Sequence, residues 1–317
     1  MRGVFLDLAT YTPDERHRAL LEPVVDEWAF YDETASGEIL ARARGFDILV
    51  TNKCRITHEV LAGLPDLKFI VAGATGVDNI DVGAARERGV AVSNVRGYST
   101  ESVAQHTFML ILALCGSLIP YDETVRAGAW QSSKSFNVRM LPVTEVAGKV
   151  LGIMGHGDIG KAVERIAKAF GMKVLISARR GAEATDGRTA FEDVLKQADI
   201  LSVHCPLTAE TRGMIGVEQI ARMKKGARII NVSRGGIVDE AALAEALKSG
   251  HIGGAGLDVL SQEPPTDGNV LLDGGIPNLI ITPHTAWTSE EARLRMFEEI
   301  AANIQAFRNG QPQNLVI

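Results

Sequence analysis

Three polar residues of the kinds that bind anions and exchange protons stand directly after apolar segments in the C-terminal half of the chain. Arg234 precedes two glycines in INVSRGG, where its guanidinium can bind a carboxylate through two parallel hydrogen bonds. Glu263 lies in LDVLSQEPP and His284 lies in ITPHTAW. A carboxylate beside an imidazole favours the charged ring and fixes its orientation. Each signal alone is modest, since a histidine after proline is as often structural and Glu263 also fits an exposed loop.

A second motif, VLGIMGHGDIG, places the glycine pattern GxGxxG after an apolar strand and at the start of a helix. Gly155 permits a tight turn, Gly157 lets the backbone approach a diphosphate, and Gly160 lets the helix pack on the strand. The diphosphate then meets the free N–H groups of the helix N-terminus. The sequence therefore predicts a dinucleotide site, and a glycine-rich turn without a ligand is the alternative.

The same loop partly matches the phosphate-binding motif of nucleoside triphosphatases, because Gly155, Gly160 and Lys161 fit GxxxxGK. That motif continues with a serine or threonine that binds magnesium, and here the next residue is Ala162. A methyl group cannot coordinate a metal, so the nucleotide triphosphatase interpretation is disfavoured.

The end of the next strand, KVLISARR, predicts which dinucleotide is preferred. Sites for NAD carry an acidic residue there to bind the ribose 2′-hydroxyl. This chain has Ala178 followed by Arg179 and Arg180, which can pair with a 2′-phosphate. The sequence favours NADP over NAD, unless the two arginines are ordinary solvated loop charges.

Apolar runs of strand length alternate with helical patterns along the whole chain, which predicts parallel sheets covered by helices. The first series of predicted strands is Val4–Leu8, Asp47–Thr51, Phe69–Ala72 and Val90–Asn94, with helices at Thr57–Leu64 and Asp81–Arg88. The second series is Val150–Met154, Lys173–Ser177, Ile200–His204, Arg228–Val232, Ile252–Leu257 and Leu279–Thr282, with helices at Ile159–Phe170 and Glu240–Lys248.

Two such series predict two doubly wound α/β domains, a Rossmann-type cofactor domain and a flavodoxin-like substrate domain, with a cleft between them. A long helix at Ser99–Leu114 bridges them, and a last helix at Ser289–Arg308 returns to the first. We expect residues 1–98 and 286–317 to form the substrate domain and residues 99–285 to form the dinucleotide domain.

Bulk properties restrict the class of protein. The net charge of −6 disfavours nucleic acid and anionic membranes as partners. The three cysteines form no CxxC pair and are typical of reduced thiols, no signal peptide is recognisable, and the apolar run Phe108–Cys115 is far shorter than a membrane span. We expect a cytoplasmic protein without a metal site, since His58-Glu59 lacks the second histidine of HExxH.

Several motifs in one order resemble the D-isomer-specific 2-hydroxyacid dehydrogenases. They are GATGVD (73–78), NVRGY (94–98), SVAQHT (102–107), GHGDIG (155–160), HCPLTAETR (204–212), NVSRGG (231–236) and TPHTAW (282–287), so the resemblance covers nearly the whole chain. Within the family the chain is similar to glycerate dehydrogenases, also called hydroxypyruvate reductases.

The resemblance implies a role for each polar residue. Arg234 would hold the carboxylate of a small 2-keto acid, assisted by backbone N–H groups of Thr75 and Gly76. His284 would exchange a proton with the C2 oxygen during hydride transfer, and Glu263 would orient the imidazole. An alkoxide develops as a ketone is reduced, and a positioned imidazolium can protonate it, an effect worth roughly 10²–10⁴-fold. The remaining substrate-binding candidates are Lys53 and Ala74, although Lys53 also fits an ordinary surface lysine.

The resemblance also implies a cofactor set beyond Gly155, Gly157 and Gly160. Thr107 and Asp258 would lie near the nicotinamide, and Cys205, Pro206 and Thr211 near the adenosine half. The remaining members are Asp158, Ile159, Ala178, Arg179, Arg180, His204 and Val232.

Family membership leaves the activity less defined than the fold. Hydroxypyruvate and glyoxylate, reduced to the D-2-hydroxy acid, fit the set, while a phosphite-type dehydrogenase and a dinucleotide-sensing protein without catalysis are alternatives. Formate oxidation is disfavoured because formate dehydrogenases pair their histidine with glutamine. A homodimer is also implied, with Leu118–Pro142 as an exchanged arm in which Trp130 and Met140 supply apolar contacts.

Overall fold

The computed structural model describes residues 1–138 and 141–317. The chain divides into two compact units, each built on one parallel sheet. The first unit comprises Met1–Ser99 and Thr288–Ile317, and the second comprises Thr100–Trp287. Two parallel-sheet α/β domains were expected from the alternation of strands and helices, and this expectation is confirmed.

The first unit has five parallel strands in the order β2-β1-β3-β4-β5. The order reverses between β1 and β3, as in flavodoxin-like sheets. The strands are β1 (Arg2–Phe5), β2 (Glu27–Phe30), β3 (Ile48–Thr51), β4 (Phe69–Ala72) and β5 (Ala91–Ser93). The helices are α1 (Glu15–Leu21), α2 (Ile39–Ala43), α3 (His58–Ala62), α4 (Val82–Glu87) and α11 (Glu290–Arg308).

The last helix, α11, completes the first unit although it is distant in sequence. Its N-cap Ser289 accepts a hydrogen bond from the backbone N–H of Ala292. Met296, Phe297, Ile300 and Ile304 on one face are fully buried, and each such side chain contributes about 2 kcal/mol on leaving water. This amphipathic face makes the unit discontinuous in sequence.

The second unit has six parallel strands in the order β11-β10-β9-β8-β6-β7. They are β6 (Val150–Met154), β7 (Lys173–Ile176), β8 (Ile200–Val203), β9 (Ala227–Asn231), β10 (Ile252–Leu257) and β11 (Leu279–Ile281). The helices are α5 (Thr100–Cys115), α6 (Leu118–Arg126), α7 (Asp158–Ala169), α8 (Phe191–Gln197), α9 (Val217–Arg222) and α10 (Glu240–Lys248). The strand order reverses between β6 and β8. In an open parallel sheet, such a reversal leaves a crevice at the carboxyl ends of the strands.

Several elements differ from the sequence-based expectation. The first strand is Arg2–Phe5 where Val4–Leu8 was expected, and strand β2 and helices α1, α2, α6, α8 and α9 were not anticipated. Strand β2 is an edge strand with only half-buried apolar residues, so its sequence lacks the apolar run of its neighbours. In α1, His17 is buried against the ring of Phe297.

The proposed arm begins with α6, on which Leu118 is exposed. Trp130 is exposed in the turn that follows α6, and Met140 lies outside the described residues. Within the described part of the chain, no single helix has the length and apolar character to cross a membrane, although the bent pair of α5 and α6 passes that test of length and composition.

Candidate active site

The glycine loop follows β6 at the point where the strand order of the second unit reverses. Gly155 has a φ of +93°, and a Cβ there would lie 2.6 Å from the backbone of His204 and Cys205. A Cβ at Gly160 would lie 2.3 Å from the carbonyl oxygen of Gly155. Packing within the protein therefore requires glycine at both positions.

Gly157 differs from its neighbours in the loop. It has an ordinary φ of −81°, and a Cβ there would meet no protein atom within 4 Å. It is the N-cap of α7, and it supplies no side-chain hydrogen bond to the free N–H groups of the first turn. Open space beside unpaired N–H groups is what a diphosphate needs, so the loop fits a dinucleotide.

The tip of β7 carries a group of guanidinium side chains. Ala178 is buried, whereas Arg179 and Arg180 are exposed. Arg188 donates to the carbonyl of Ser177 at 3.2 Å and adds a third guanidinium that sequence reasoning missed. Among the described residues, Arg179 forms no ion pair within 4 Å. The hydrogen bond from the Thr208 hydroxyl lowers the pKa of Glu210, and the positive charge of Arg179 adds a smaller effect in the same direction. The tip is thus positively charged.

The segment after β8 closes another side of the loop. His204 Nε2 lies 2.8 Å from the hydroxyl of Ser202, while its Nδ1 is buried with no hydrogen-bond partner among the described residues. Burial lowers the pKa of His204 to about 4, so the ring is neutral at physiological pH. Burial raises the pKa of the Cys205 thiol, which disfavours the nucleophilic thiolate. The hydroxyl of Thr211 donates to the carbonyl of Pro206 at 2.7 Å and fixes the turn.

The loop after β9 holds Arg234, and the buried side chain of Asn231 organises that loop. Asn231 donates to the carbonyl of Arg234 at 2.9 Å and accepts from the N–H and hydroxyl of Ser233, both at 3.1 Å. The guanidinium of Arg234 donates to the carbonyl of Ser233 at 2.8 Å. These hydrogen bonds fix the backbone of the loop and the direction of the Arg234 side chain.

His284 and Glu263 form a hydrogen-bonded pair, with 2.6 Å between Nδ1 and Oε2. The other carboxylate oxygen of Glu263 accepts from the backbone N–H of Leu260 at 3.0 Å. A Cβ at Gly235 would lie 1.8 Å from the carbonyl oxygen of Leu260, so the Arg234 loop packs directly on the Glu263 loop. Both side chains are about one-third exposed, which leaves the pair accessible to a ligand.

Asp258 shapes the segment that carries the histidine. Its carboxylate, only 1% exposed, accepts hydrogen bonds from the hydroxyl of Thr282 and from the N–H groups of Thr285 and Ala286. The carbonyl of Asp258 accepts from the N–H of His284 at 2.9 Å, and His284 has the left-handed φ of +55°. These contacts hold a strained backbone conformation at the histidine, which costs about 1–3 kcal/mol by itself.

The network continues to α5. His106 Nε2 lies 2.9 Å from the hydroxyl of Thr282 and 3.5 Å from the carboxylate of Asp258. Because the Thr282 hydroxyl donates to Asp258, it accepts from His106. Burial lowers the pKa of His106, against the opposing charge of Asp258.

A series of backbone hydrogen bonds joins these loops. The N–H of Asp258 donates to the carbonyl of Asn231, and the N–H of His284 donates to the carbonyl of Asp258, both at 2.9 Å. The ladder of β9, β10 and β11 thus continues past the strand ends. It brings together the segments that carry Arg234, Glu263 and His284.

The remaining predicted cofactor residues of the second unit have structural contacts of their own. Thr107 is buried and donates to the carbonyl of Val103 one turn earlier in α5, and Val232 is buried after β9. Asp158 begins α7, with Ile159 half-buried behind it.

The predicted substrate residues belong to the first unit. Ala74, Thr75 and Gly76 follow β4, where Asn94 donates to the carbonyl of Thr75 at 2.7 Å. Lys53 is exposed in the loop after β3. The buried carboxylate of Asp7 accepts from the backbone N–H groups of Asn52, Lys53 and Cys54 and so fixes that loop.

Sequence reasoning missed the residues that position others, namely Asp7, Asn231, Thr282 and His106. Asp7 and Thr282 stand one or two residues past a strand, Asn231 ends β9 and His106 lies on α5, and no spacing in the sequence singles them out. The signal for Asn231 and Thr282 was their place at the carboxyl end of a strand, which was used only for the charged residues.

Among the described residues, no group of three or more histidine, cysteine or acidic side chains is arranged to hold a metal ion. The site offers instead an imidazole with a carboxylate partner, a guanidinium on the adjoining loop and a glycine loop with space for a diphosphate, all after the carboxyl ends of the strands. This combination can bind an organic acid, exchange a proton and hold a dinucleotide.

Comparison with known proteins agrees with this geometry. Residues 108–286 match the family described as D-isomer specific 2-hydroxyacid dehydrogenase, NAD binding domain. The chain is 45% identical to a glycerate dehydrogenase from Methylorubrum extorquens, over 92% of each chain. It is 37% identical to a hydroxypyruvate reductase from Blautia hydrogenotrophica, over 100% of this chain and 99% of that one.

Among solved structures, the crystal structure of the TT0316 protein from Thermus thermophilus superposes with a TM-score of 0.88 at 35% identity and covers 100% of both chains. The similarity in sequence and in structure therefore extends over both units. The chain belongs to the D-isomer specific 2-hydroxyacid dehydrogenases and is an enzyme with a nicotinamide-dinucleotide-binding domain.

Proposed function

We propose that the protein reduces a small 2-keto acid, hydroxypyruvate or glyoxylate, to the D-2-hydroxy acid with NADPH as the reductant. The observation that carries this proposal is the 2.6 Å contact between Nδ1 of His284 and Glu263. It orients the ring and leaves Nε2, which makes no hydrogen bond with a described residue, to meet the substrate.

The residues divide the work of the reaction. Arg234 binds the substrate carboxylate, and this sets the position of the keto group relative to the imidazole. His284 donates a proton from Nε2 to the C2 oxygen as negative charge develops there, and Glu263 stabilises the imidazolium before the transfer. The bound dinucleotide supplies the hydride that reduces C2.

The cofactor would be held by residues around the glycine loop. Gly157 and the N-terminus of α7 bind the diphosphate, and the uncrowded position of Gly157 supports that role. We propose NADP as the preferred dinucleotide, because Arg179 and Arg180 are exposed where NAD sites carry an acid. Further contacts are assigned to Thr107, His204, Cys205, Pro206, Thr211, Val232 and Asp258.

The choice of substrate rests on the relatives and on the carboxylate and ketone chemistry assigned to Arg234 and His284. The relatives named above are a glycerate dehydrogenase and a hydroxypyruvate reductase, which favours a three-carbon acid. Lys53, Ala74, Thr75 and Gly76 of the first unit are our candidates for further substrate contacts.

We further propose a homodimer in the cytoplasm. Trp130 and Phe136 are 53% and 88% exposed, and apolar side chains this exposed in one segment mark an interface. The three cysteines are free thiols, which suits a reducing compartment. Light scattering of the purified protein tests the dimer, and a monomeric mass at micromolar concentration would contradict it.

The activity is tested by following NADPH and NADH oxidation with hydroxypyruvate, glyoxylate, pyruvate and phenylpyruvate. We expect the largest kcat/KM with hydroxypyruvate or glyoxylate and NADPH. Equal rates with phenylpyruvate would contradict the small-acid assignment, and equal kcat/KM with NADH would contradict the NADP assignment.

A further inference from the structure

A cavity of about 210 Å³ lies in the second unit, at the amino-terminal ends of the sheet strands. It is lined where β6, β8 and β9 begin, whereas the glycine loop and His284 follow the carboxyl ends of the strands. A strand of five residues spans about 17 Å, so this cavity is separate from the dinucleotide site.

Four cationic side chains line this cavity, against one carboxylate. They are Lys149, Lys224, Lys225 and Arg228, and the carboxylate is Asp199. Lys224 pairs with Asp199 at 2.8 Å, and the other oxygen of Asp199 accepts from the N–H of Val150, also at 2.8 Å. The carboxylate is therefore already satisfied by the protein.

The other cations lack such compensation. Lys149 and Lys225 form no ion pair with a described residue. Arg228 donates to the hydroxyl of Thr144 at 3.2 Å, but its Nε is buried without a hydrogen-bond partner among the described residues. Arg228 also forms no ion pair with a described residue, so its charge is available to an anion in the cavity.

We propose that this basic pocket, lined by Lys149, Lys224, Lys225 and Arg228, binds a small polyanion. Its concentration of positive charge contrasts with the net charge of −6 of the whole chain. A water molecule takes up about 30 Å³, so the volume corresponds to roughly seven waters, which suits a pyrophosphate or a tricarboxylate. The ligand is recognised by oxyanion chemistry, since ammonium and guanidinium groups are donors only.

Calorimetry with the full chain tests this proposal independently of turnover. The protein is first saturated with NADPH, so that the glycine loop is occupied, and is then titrated with inorganic pyrophosphate or with citrate at about 0.15 M salt. We expect one saturable site, and the tighter of the two probes identifies phosphate or carboxylate chemistry.

The decisive comparison uses two double variants with the same change in charge. Lys149→Gln with Lys225→Gln should weaken binding by at least about tenfold, whereas Lys196→Gln with Lys248→Gln, on exposed helices, should change it by less than about twofold. Binding that is absent for both probes, that weakens equally in both variants, or that weakens instead in Arg179→Ala would overturn the proposal.

Discussion

Replacing Gly157 by alanine separates cofactor binding from folding more cleanly than any other change in the loop. A Cβ at this position meets no protein atom within 4 Å, and the φ of −81° is allowed for alanine. The free energy of unfolding should stay unchanged or rise by about 0.4–1 kcal/mol, because alanine restricts the unfolded chain.

If the glycine loop binds the diphosphate as proposed, the same methyl group would occupy space that the diphosphate must enter. Backbone N–H groups at a helix N-terminus make charge-assisted hydrogen bonds to phosphate, each worth about 1.5–3 kcal/mol. Loss of one such contact raises the dissociation constant of NADPH by roughly 10–100-fold. The kcat at saturating cofactor should fall much less.

The assay measures NADPH affinity by fluorescence titration and stability by urea unfolding of the same samples. Gly160→Ala is the matched control, because a Cβ there would lie 2.3 Å from the carbonyl oxygen of Gly155 and should destabilise the fold by about 1–3 kcal/mol. An unchanged NADPH affinity in Gly157→Ala would refute the diphosphate assignment. A lower free energy of unfolding in Gly157→Ala would contradict the inference that the fold has room for a Cβ at this position.

Three further changes probe the positioning of the site. Glu263→Gln retains an acceptor for the N–H of Leu260 but loses the charge beside His284. The kcat should therefore fall about 10–100-fold with unchanged NADPH affinity. A fall in kcat of less than about threefold would contradict this. Asp258→Asn places an amide donor opposite the donors of Thr282, Thr285 and Ala286. Both kcat and the free energy of unfolding should fall, the free energy by about 1–3 kcal/mol. The control Asp273→Asn, at an exposed residue, should leave both quantities unchanged. The pKa of His204 is about 4 in the folded protein, so between pH 6.5 and 4 only the unfolded chain binds this proton and stability falls as pH falls. Urea unfolding should show this component to be about 2 kcal/mol smaller at pH 5 than at pH 7 and to be absent in His204→Gln; an equal pH dependence in both proteins would contradict it.

The fold was largely readable from the sequence because both sheets are parallel and buried. Strands β3, β4 and β8 are buried at every position, and buried strands read as continuous apolar runs bounded by turns. Strand β2 escaped prediction because it is an edge strand, and the short helices α8 and α9 have only six or seven residues over which to display a period.

The candidate site was only partly readable. Arg234, Glu263 and His284 were found because charged residues after apolar strands are conspicuous. The hydrogen bond from Thr282 to Asp258 depends on which strands are neighbours in the sheet, whereas the bond from Asn231 to Arg234 closes a turn within one loop. The order of β9, β10 and β11 is set by tertiary packing, and no local pattern encodes it.

The close packing of Gly235 illustrates the same point. In sequence it reads as one of two flexible glycines after Arg234, yet a Cβ there would overlap the backbone of Leu260. The requirement comes from a loop 25 residues further along the chain, and only the assembled sheet reveals it.

In the proposed reaction, His284 transfers the proton during a dinucleotide-dependent reduction of a 2-keto acid. The most direct test is single-turnover reduction of hydroxypyruvate by the NADPH-bound protein, comparing the unaltered chain with His284→Ala. We expect D-glycerate formation to slow by at least about 100-fold in the variant, with NADPH affinity unchanged. A rate within a few-fold of the unaltered chain, or no reduction by the unaltered chain itself, would contradict it.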